Sequence, residues 1–137
     1  MFFHKCQLIA VGEKELVLNR QITGQSNYYD GIAAETTVER RYRNDGGEVA
    51  ARRWRGASGE VDLVIRRGGG LIFVEVKKAK DFFRAAHRLS QRQLARITSA
   101  AEEFVSTEPM GMLTPVRVDL ALVNEQGESK IIENVTM

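Results

Sequence analysis

Asp62, Glu75 and Lys77 are the residues of this chain whose types and spacing could do chemistry together. They lie in the stretch Gly59–Lys80, GEVDLVIRRGGGLIFVEVKKAK, where two runs rich in Val, Ile and Leu flank Arg66-Arg67-Gly68-Gly69-Gly70. A Gly-bearing connection between β-prone runs predicts a hairpin of two antiparallel strands. Side chains alternate across a strand, so Val61, Leu63 and Ile65 are expected on one face and Glu60, Asp62 and Val64 on the other. In the second strand Ile72, Val74 and Val76 point one way and Phe73, Glu75 and Lys77 the other. With the turn centred on Gly68 and Gly69, Asp62 falls nearly opposite Glu75, their Cβ atoms roughly 5 Å apart.

Two carboxylates so placed need a positive charge between them. A divalent metal meets that need, and so would Lys77 or an arginine. Mg²⁺ prefers oxygen ligands and keeps several waters, so Asp62 and Glu75 could hold it. Lys77, two residues on from Glu75, faces the same side and could position or deprotonate a water, or stabilise charge on a phosphate whose oxygen the metal polarises.

The elements that must position these groups follow from the flanking pattern. Asp30 can cap a helix that begins at Gly31 and runs through Ile32, Ala34, Val38 and Tyr42 to the stop Asn44-Asp45-Gly46-Gly47. Glu35, in its first turn, would offset the helix dipole there. Glu48 to Trp54 reads as a first strand, with Arg55 to Gly59 as the loop into the hairpin. Trp54 is expected in the core or at its rim, with base stacking as the other use of such a ring. After Lys80, Ser90 with Gln93 fits a capping box, and Leu94, Ile97, Ala101, Phe104 and Val105 form one apolar helix face. Arg84, Arg88, Arg92 and Arg96 recur every four residues; with helix extending back that far they form a basic ridge suited to phosphates. Pro109 and Pro115 bracket an irregular link, Arg117 to Val123 reads as a strand and Lys130 to Val135 as the last one. Helix, three strands, helix and two strands predict an α/β or α+β sheet with a helix packed on it.

With 137 residues the chain is long enough for one real core and too short for two ordinary ones. No run of about 18 apolar residues is present and no A-x-A-like cleavage site follows the opening MFFHKCQLIAVG, so a cytoplasmic protein without membrane contact is expected. The single cysteine, Cys6, excludes an internal disulfide framework, and with His4 and His87 it makes no zinc cluster. The net charge of +2 hides an asymmetry: from Arg40 to Arg96 there are 15 Lys or Arg against 6 Asp or Glu. So basic a middle points to a polyanionic partner, nucleic acid ahead of membrane. Residues 1–29 are expected as an extension or hairpin, and residues 30–137 as the domain.

The combination of Gly31 and Ala34-Glu35 in the first helix, Arg53-Trp54-Arg55, Gly59-Glu60-Val61-Asp62-Leu63-Val64 and Phe73-Val74-Glu75-Val76-Lys77 resembles the PD-(D/E)XK nuclease superfamily. More closely it resembles the uncharacterised YraN-type family of endonuclease-like bacterial proteins. The likeness covers roughly Gly31 to the C-terminus. It implies a restriction-endonuclease-like core, a mixed central sheet built from a three-stranded meander plus further strands and flanked by helices. It implies a Mg²⁺- or Mn²⁺-dependent endonuclease acting on DNA ahead of RNA. Glu35, Asp62, Glu75 and Lys77 become the catalytic residues, Asp62 and Glu75 the metal ligands, and Gln91 or Gln93 the polar group from the following helix. No proline precedes Asp62, Arg41 and Tyr42 replace an aromatic and a leucine, and Lys78-Ala79 replaces a Thr-Arg type pair. Beside the nuclease stand two other readings: a nucleic-acid-binding module on a nuclease-like fold, and a partner-binding subunit whose basic ridge meets an acidic protein.

Overall fold

The computed structural model describes residues 30–136. The extension or hairpin expected at residues 1–29 lies outside them, with His4 and Cys6. The chain divides into two compact units between Ala33 and Ala34, and the unit from Ala34 onward holds the sheet. Residues 30–44 are helical; Asp30, expected as a cap, is itself in the helix. The part from Ala34 on is α1, and it stops where the Asn-Asp-Gly-Gly sequence dictates, with the N–H groups of Asp45 and Gly47 donating to the Tyr42 carbonyl (3.1 and 2.9 Å).

Three strands follow as a meander, β1 (Glu48–Arg55), β2 (Glu60–Arg67) and β3 (Gly70–Lys78). A short helix α2 (Phe82–Ala86), the main helix α3 (Gln91–Val105) and a 3-10 turn at Gly111–Leu113 lead to β4 (Val116–Val123) and β5 (Ser129–Ile132). The sheet order is β1-β2-β3-β4-β5, antiparallel at every step except the parallel pair β3–β4. The expected fold is therefore present: a mixed five-stranded sheet flanked by helices, compatible with a restriction-endonuclease-like core. Among the described residues no helix is long and apolar enough to cross a membrane.

Apolar alternation decides which side chains meet which helix. Leu63, Ile65, Ile72, Val74, Ala121 and Val123 pack with Val38 and Tyr42 of α1. Val64, Phe73, Leu71 and Val118, on the other face, pack with Ile97, Ala100, Ala101 and Val105 of α3. Phe73 is fully buried and stacks edge-on with Phe104 (5.7 Å), which does the same with Trp54 (5.3 Å), so Trp54 is a packing residue at the rim. Truncating Phe73 to alanine would cost about 3–5 kcal/mol.

Gly68 and Gly69 both take positive φ (59° and 81°), the two-residue turn that matches strand twist and that only glycine adopts without strain. The turn sets the register Arg67↔Gly70 through Leu63↔Val74. One expectation fails on this hairpin. Val61 packs on the α3 side, whereas Leu63 and Ile65 pack on the α1 side, so the alternation breaks at Asp62. Across the ladder, between Arg52↔Leu63 and Trp54↔Val61, stands Arg53 with φ 48°. A left-handed arginine costs about 1–2 kcal/mol of backbone strain, and alternation is lost in both strands at this one level.

Candidate active site at the strand fork

β2 and β3 stop pairing at Leu63↔Val74. Beyond that rung β2 remains bonded to β1 through Val61 and Glu60, while β3 follows β4 as far as Lys78↔Val123. The two strands of the hairpin thus part company, and Asp62 and Glu75 are the first residues on either side of the fork. They are not the ladder partners that simple alternation predicts. The N–H of Val76, past the last rung to β2, donates instead to Asp62 Oδ2 (2.8 Å). The fork replaces a backbone acceptor with a carboxylate.

Glu75 is 5% exposed. Its Oε2 accepts from Gln93 Nε2 at 2.5 Å and lies 3.3 Å from Lys77 Nζ. Burial, and then the neighbouring charge of Asp62, push the Glu75 carboxyl up to about 8, against the opposing pull of Lys77. One of two like-charged carboxyls holds its proton when the positive charge beside them is insufficient for both.

Gln93 reaches the site through the way α3 begins. Ser90 caps the helix, its Oγ accepting from the Gln93 N–H at 3.0 Å, which is half of the expected capping box. In the other half the Gln93 side chain would fold back on the cap; here it extends to Glu75. Gln91, the other candidate, is exposed. The loop before β2 is drawn tight against α3 because Gly59 has no side chain: a Cβ there would stand 3.0 Å from the Arg96 carbonyl oxygen.

Glu35 comes to the fork from α1. Its carboxyl is raised above the usual range first by burial, with the charges of Asp62 and Glu60 adding to this, and Arg53 opposes the rise. Arg53 Nε donates to Glu35 Oε1 at 3.0 Å. The neighbouring arginines of β1 are held likewise, Arg52 by Glu39 (2.7 and 2.9 Å) and Arg55 by Glu60 (2.9 Å). These pairings were invisible in the sequence; the only hint was the alternation of Glu35 and Glu39 one helical turn apart with a run of arginines on the next strand.

The basic ridge does not form as one helical row. α2 ends at Ala86 and α3 starts at Gln91, so Arg88 lies in the connection, and Arg84 is bonded to Asp81 (2.8 Å) at the start of α2. Ser90 is the physical cause: it is extended (φ −88°, ψ 159°) and caps α3, so α2 and α3 cannot run on as one helix. Arg88, Arg92 and Arg96 remain exposed.

The donor set suits a hard cation. Asp62 and Glu75 bring carboxylate oxygens to the fork, the donor type that such a cation prefers. Among the described residues no group of three His, Cys, Asp or Glu side chains is gathered for a metal, so two carboxylates plus water would have to serve.

Residues 34–123 match the uncharacterised protein family UPF0102. A UPF0102 protein of Cereibacter sphaeroides is 53% identical over 113 residues, 82% of this chain and 97% of the relative. One from Roseobacter denitrificans is 50% identical over 111 residues (81% and 86%), and one from Ruegeria pomeroyi 49% over 111 residues (81% and 90%).

Proposed function

The chain belongs to the uncharacterised protein family UPF0102, the YraN-type family, and from that premise we propose that it is a metal-dependent nuclease hydrolysing phosphodiester bonds in DNA or RNA, DNA ahead of RNA. The observation that carries this reading is the fork at Leu63↔Val74, where Asp62, Glu75 and Lys77 meet with less positive charge than their carboxyls require. A purely structural cluster would be expected to close its own charge balance.

Asp62 and Glu75 would hold Mg²⁺ or Mn²⁺, which when bound supplies charge stabilisation to a phosphoryl oxygen and a more acidic attacking water. Gln93 fixes the orientation of the Glu75 carboxylate through its amide. Lys77, whose Nζ lies 3.3 Å from Glu75 Oε2, would orient the attacking water or stabilise the developing charge on phosphate. The Val76 N–H, donating to Asp62 Oδ2, orients that carboxylate. Partners outside the fork are nucleic acid through Arg88, Arg92 and Arg96. The pairing of Arg52, Arg53 and Arg55 with Glu39, Glu35 and Glu60 favours the second reading, a non-catalytic nucleic-acid-binding module, since there the carboxylates serve their arginines.

Incubation of wild type and Asp62→Asn with single-stranded, duplex and branched DNA and RNA, with and without Mg²⁺ or Mn²⁺, decides between them. The nuclease reading expects metal-dependent cleavage by wild type and its loss, together with metal affinity, in Asp62→Asn. Wild-type-rate cleavage by Asp62→Asn removes this site, and no cleavage under any condition leaves the binding module.

A further inference from the structure

Residues 78–92 form a loop whose two ends are held at one atom. Lys77 Nζ lies 3.3 Å from Glu75 Oε2, and Gln93 Nε2 donates to the same oxygen at 2.5 Å, so the chain that leaves the fork after Lys77 returns to it at Gln93. The loop carries Lys78, Lys80, Arg84, Arg88 and Arg92 against Asp81 alone. Arg84 is taken by Asp81, whereas Arg88 and Arg92 are exposed and, among the described residues, bonded to no other side chain.

α2, inside this loop, turns Phe82, Ala85, Ala86 and Leu89 toward Leu120 and Leu122 of β4. The outward row is Phe83, Arg84, His87 and Arg88, all exposed, and the helical spacing sets the pair Phe83 and His87 beside the pair Arg84 and Arg88. Phe83 thus occupies a position where the pattern calls for a polar side chain, and it is 72% exposed. Its ring centroid is 4.2 Å from that of His87, with the planes 44° apart, and His87 Nδ1 donates to the Phe83 carbonyl at 2.8 Å, which holds the imidazole in place. The phenyl ring is backed by the imidazole and otherwise faces solvent.

A single ring among cations suits nucleic acid: a base stacks on the aromatic face while the cations hold phosphates. A protein partner would ask for a wider apolar core, and within this loop Phe83 is the one exposed large hydrophobic. Inside a duplex each base face is covered by its neighbours, so only an unpaired base can present its face without first being pulled from the stack.

We propose that Phe83, backed by His87, is a base-stacking site for an unpaired nucleotide, with Arg88 and Arg92 on the adjoining phosphates, and that the substrate of the fork is nucleic acid with a single-stranded segment and not uniform duplex. The assignment rests on the nuclease reading for what the fork does to that strand. Phe83 is six residues on from Lys77, at most about 22 Å along the chain, so the stacked base and the phosphate at the fork belong to one stretch of strand.

The test compares wild type, Phe83→Leu, Phe83→Trp and Asp62→Asn. Binding to fluorescein-labelled single-stranded DNA, single-stranded RNA, blunt duplex DNA and an all-abasic single strand of equal length is followed by anisotropy against salt in EDTA, with cleavage assayed in Mg²⁺ or Mn²⁺. Phe83→Leu is expected to bind the single strands about tenfold more weakly than wild type, the scale of one lost base stack, with duplex affinity within about twofold. Its melting temperature and its salt slope should be unchanged, because the side chain is exposed and no charge is removed. Phe83→Trp should bind at least as tightly as wild type, and its added indole emission should be quenched by the single strands and not by duplex. Wild type should bind the abasic strand about tenfold more weakly than the base-bearing one, and Phe83→Leu should not tell the two apart.

Equal affinity of wild type for the abasic and base-bearing strands overturns the proposal without recourse to any variant, and so does an equal loss on single strand and duplex in Phe83→Leu. If wild type cleaves, Asp62→Asn does not and Phe83→Leu binds as wild type does, the stacking site falls alone. If wild type binds single strands without cleaving any, the nuclease reading falls, and the contrast between Phe83→Leu and wild type still decides the stacking site. Absence of binding to all the strands overturns both.

Discussion

Asp119 on β4 and Glu75 on β3 are buried carboxylates one strand apart, on opposite faces of the same sheet. Asp119 accepts from the Tyr42 hydroxyl (2.7 Å), from Arg117 at both oxygens (2.9 and 3.1 Å) and from the Asn134 N–H (3.1 Å). Burial first, and then Asp119, hold the Tyr42 phenol well above its usual range, so it stays a donor. Glu75 receives an amide and one ammonium, and shares its surroundings with a second carboxyl. The first cluster satisfies its charge from within, tying α1 to β4. The second sets two carboxyls against one ammonium. Burial alone does not tell the two clusters apart; the balance of donors does.

Removing Asp119 should produce the largest change. Asp119→Ala leaves the Tyr42 hydroxyl and Arg117 without their carboxylate, and breaking a buried pair of this kind costs about 3 kcal/mol, the low end of its range because Arg117 can turn to Glu133 (3.5 Å). Urea unfolding measures it. A loss no greater than that of Glu75→Gln would erase the contrast between the clusters.

Next in size, Lys77→Ala should slow cleavage by at least about a hundredfold, or roughly 2.7 kcal/mol of transition-state stabilisation, while Mg²⁺ still binds. Metal titration followed by melting temperature, beside single-turnover rates, separates the two effects. Loss of metal binding in this variant would make the lysine part of the ligand framework instead.

Glu75→Gln sharpens the comparison through pH. The carboxyl of Glu75 is raised on folding, so between the ordinary glutamate range and about pH 8 the native state holds a proton that the unfolded chain has lost. Native stability is therefore highest below that window and falls as pH rises through it, with a slope approaching about 1.4 kcal/mol per pH unit from this one group. Glu35 contributes in the same sense. Denaturant melts from pH 5 to 8 should show a clearly shallower slope in the glutamine variant. Mg²⁺ affinity of wild type should rise over the same window, because binding must expel that proton. Identical slopes in both proteins would mean that Glu75 is ionised in the apo state and that the two clusters are alike.

The smallest effect concerns the cations. Arg117 is committed to Asp119, whereas Arg88 and Arg92 are exposed on either side of the α3 cap. Arg88→Ala with Arg92→Ala should leave the melting temperature unchanged and lower the log–log salt slope of DNA binding by about 0.7 to 0.9 for each phosphate that is no longer neutralised. No change in slope takes this region off the binding surface.

Local chemistry settled a good deal of this protein before any tertiary contact was known. Glycines at 68 and 69 dictate a turn, the turn dictates the register, and the register brings Asp62 and Glu75 to one level; Ser90 starts α3, and Asn44 to Gly47 stop α1. These depend on backbone sterics and on hydrogen bonds between residues a few positions apart, so they can be read from the sequence. The fork itself could not be: where two paired strands separate depends on β1 and β4 competing for them from either side. The same holds for the broken alternation at Asp62, for Gln93 leaving its cap to reach Glu75, and for the grip of Tyr42 and Arg117 on Asp119. Burial and the charges brought in from distant elements set how strongly a carboxyl holds its proton, and only the folded chain puts those elements side by side.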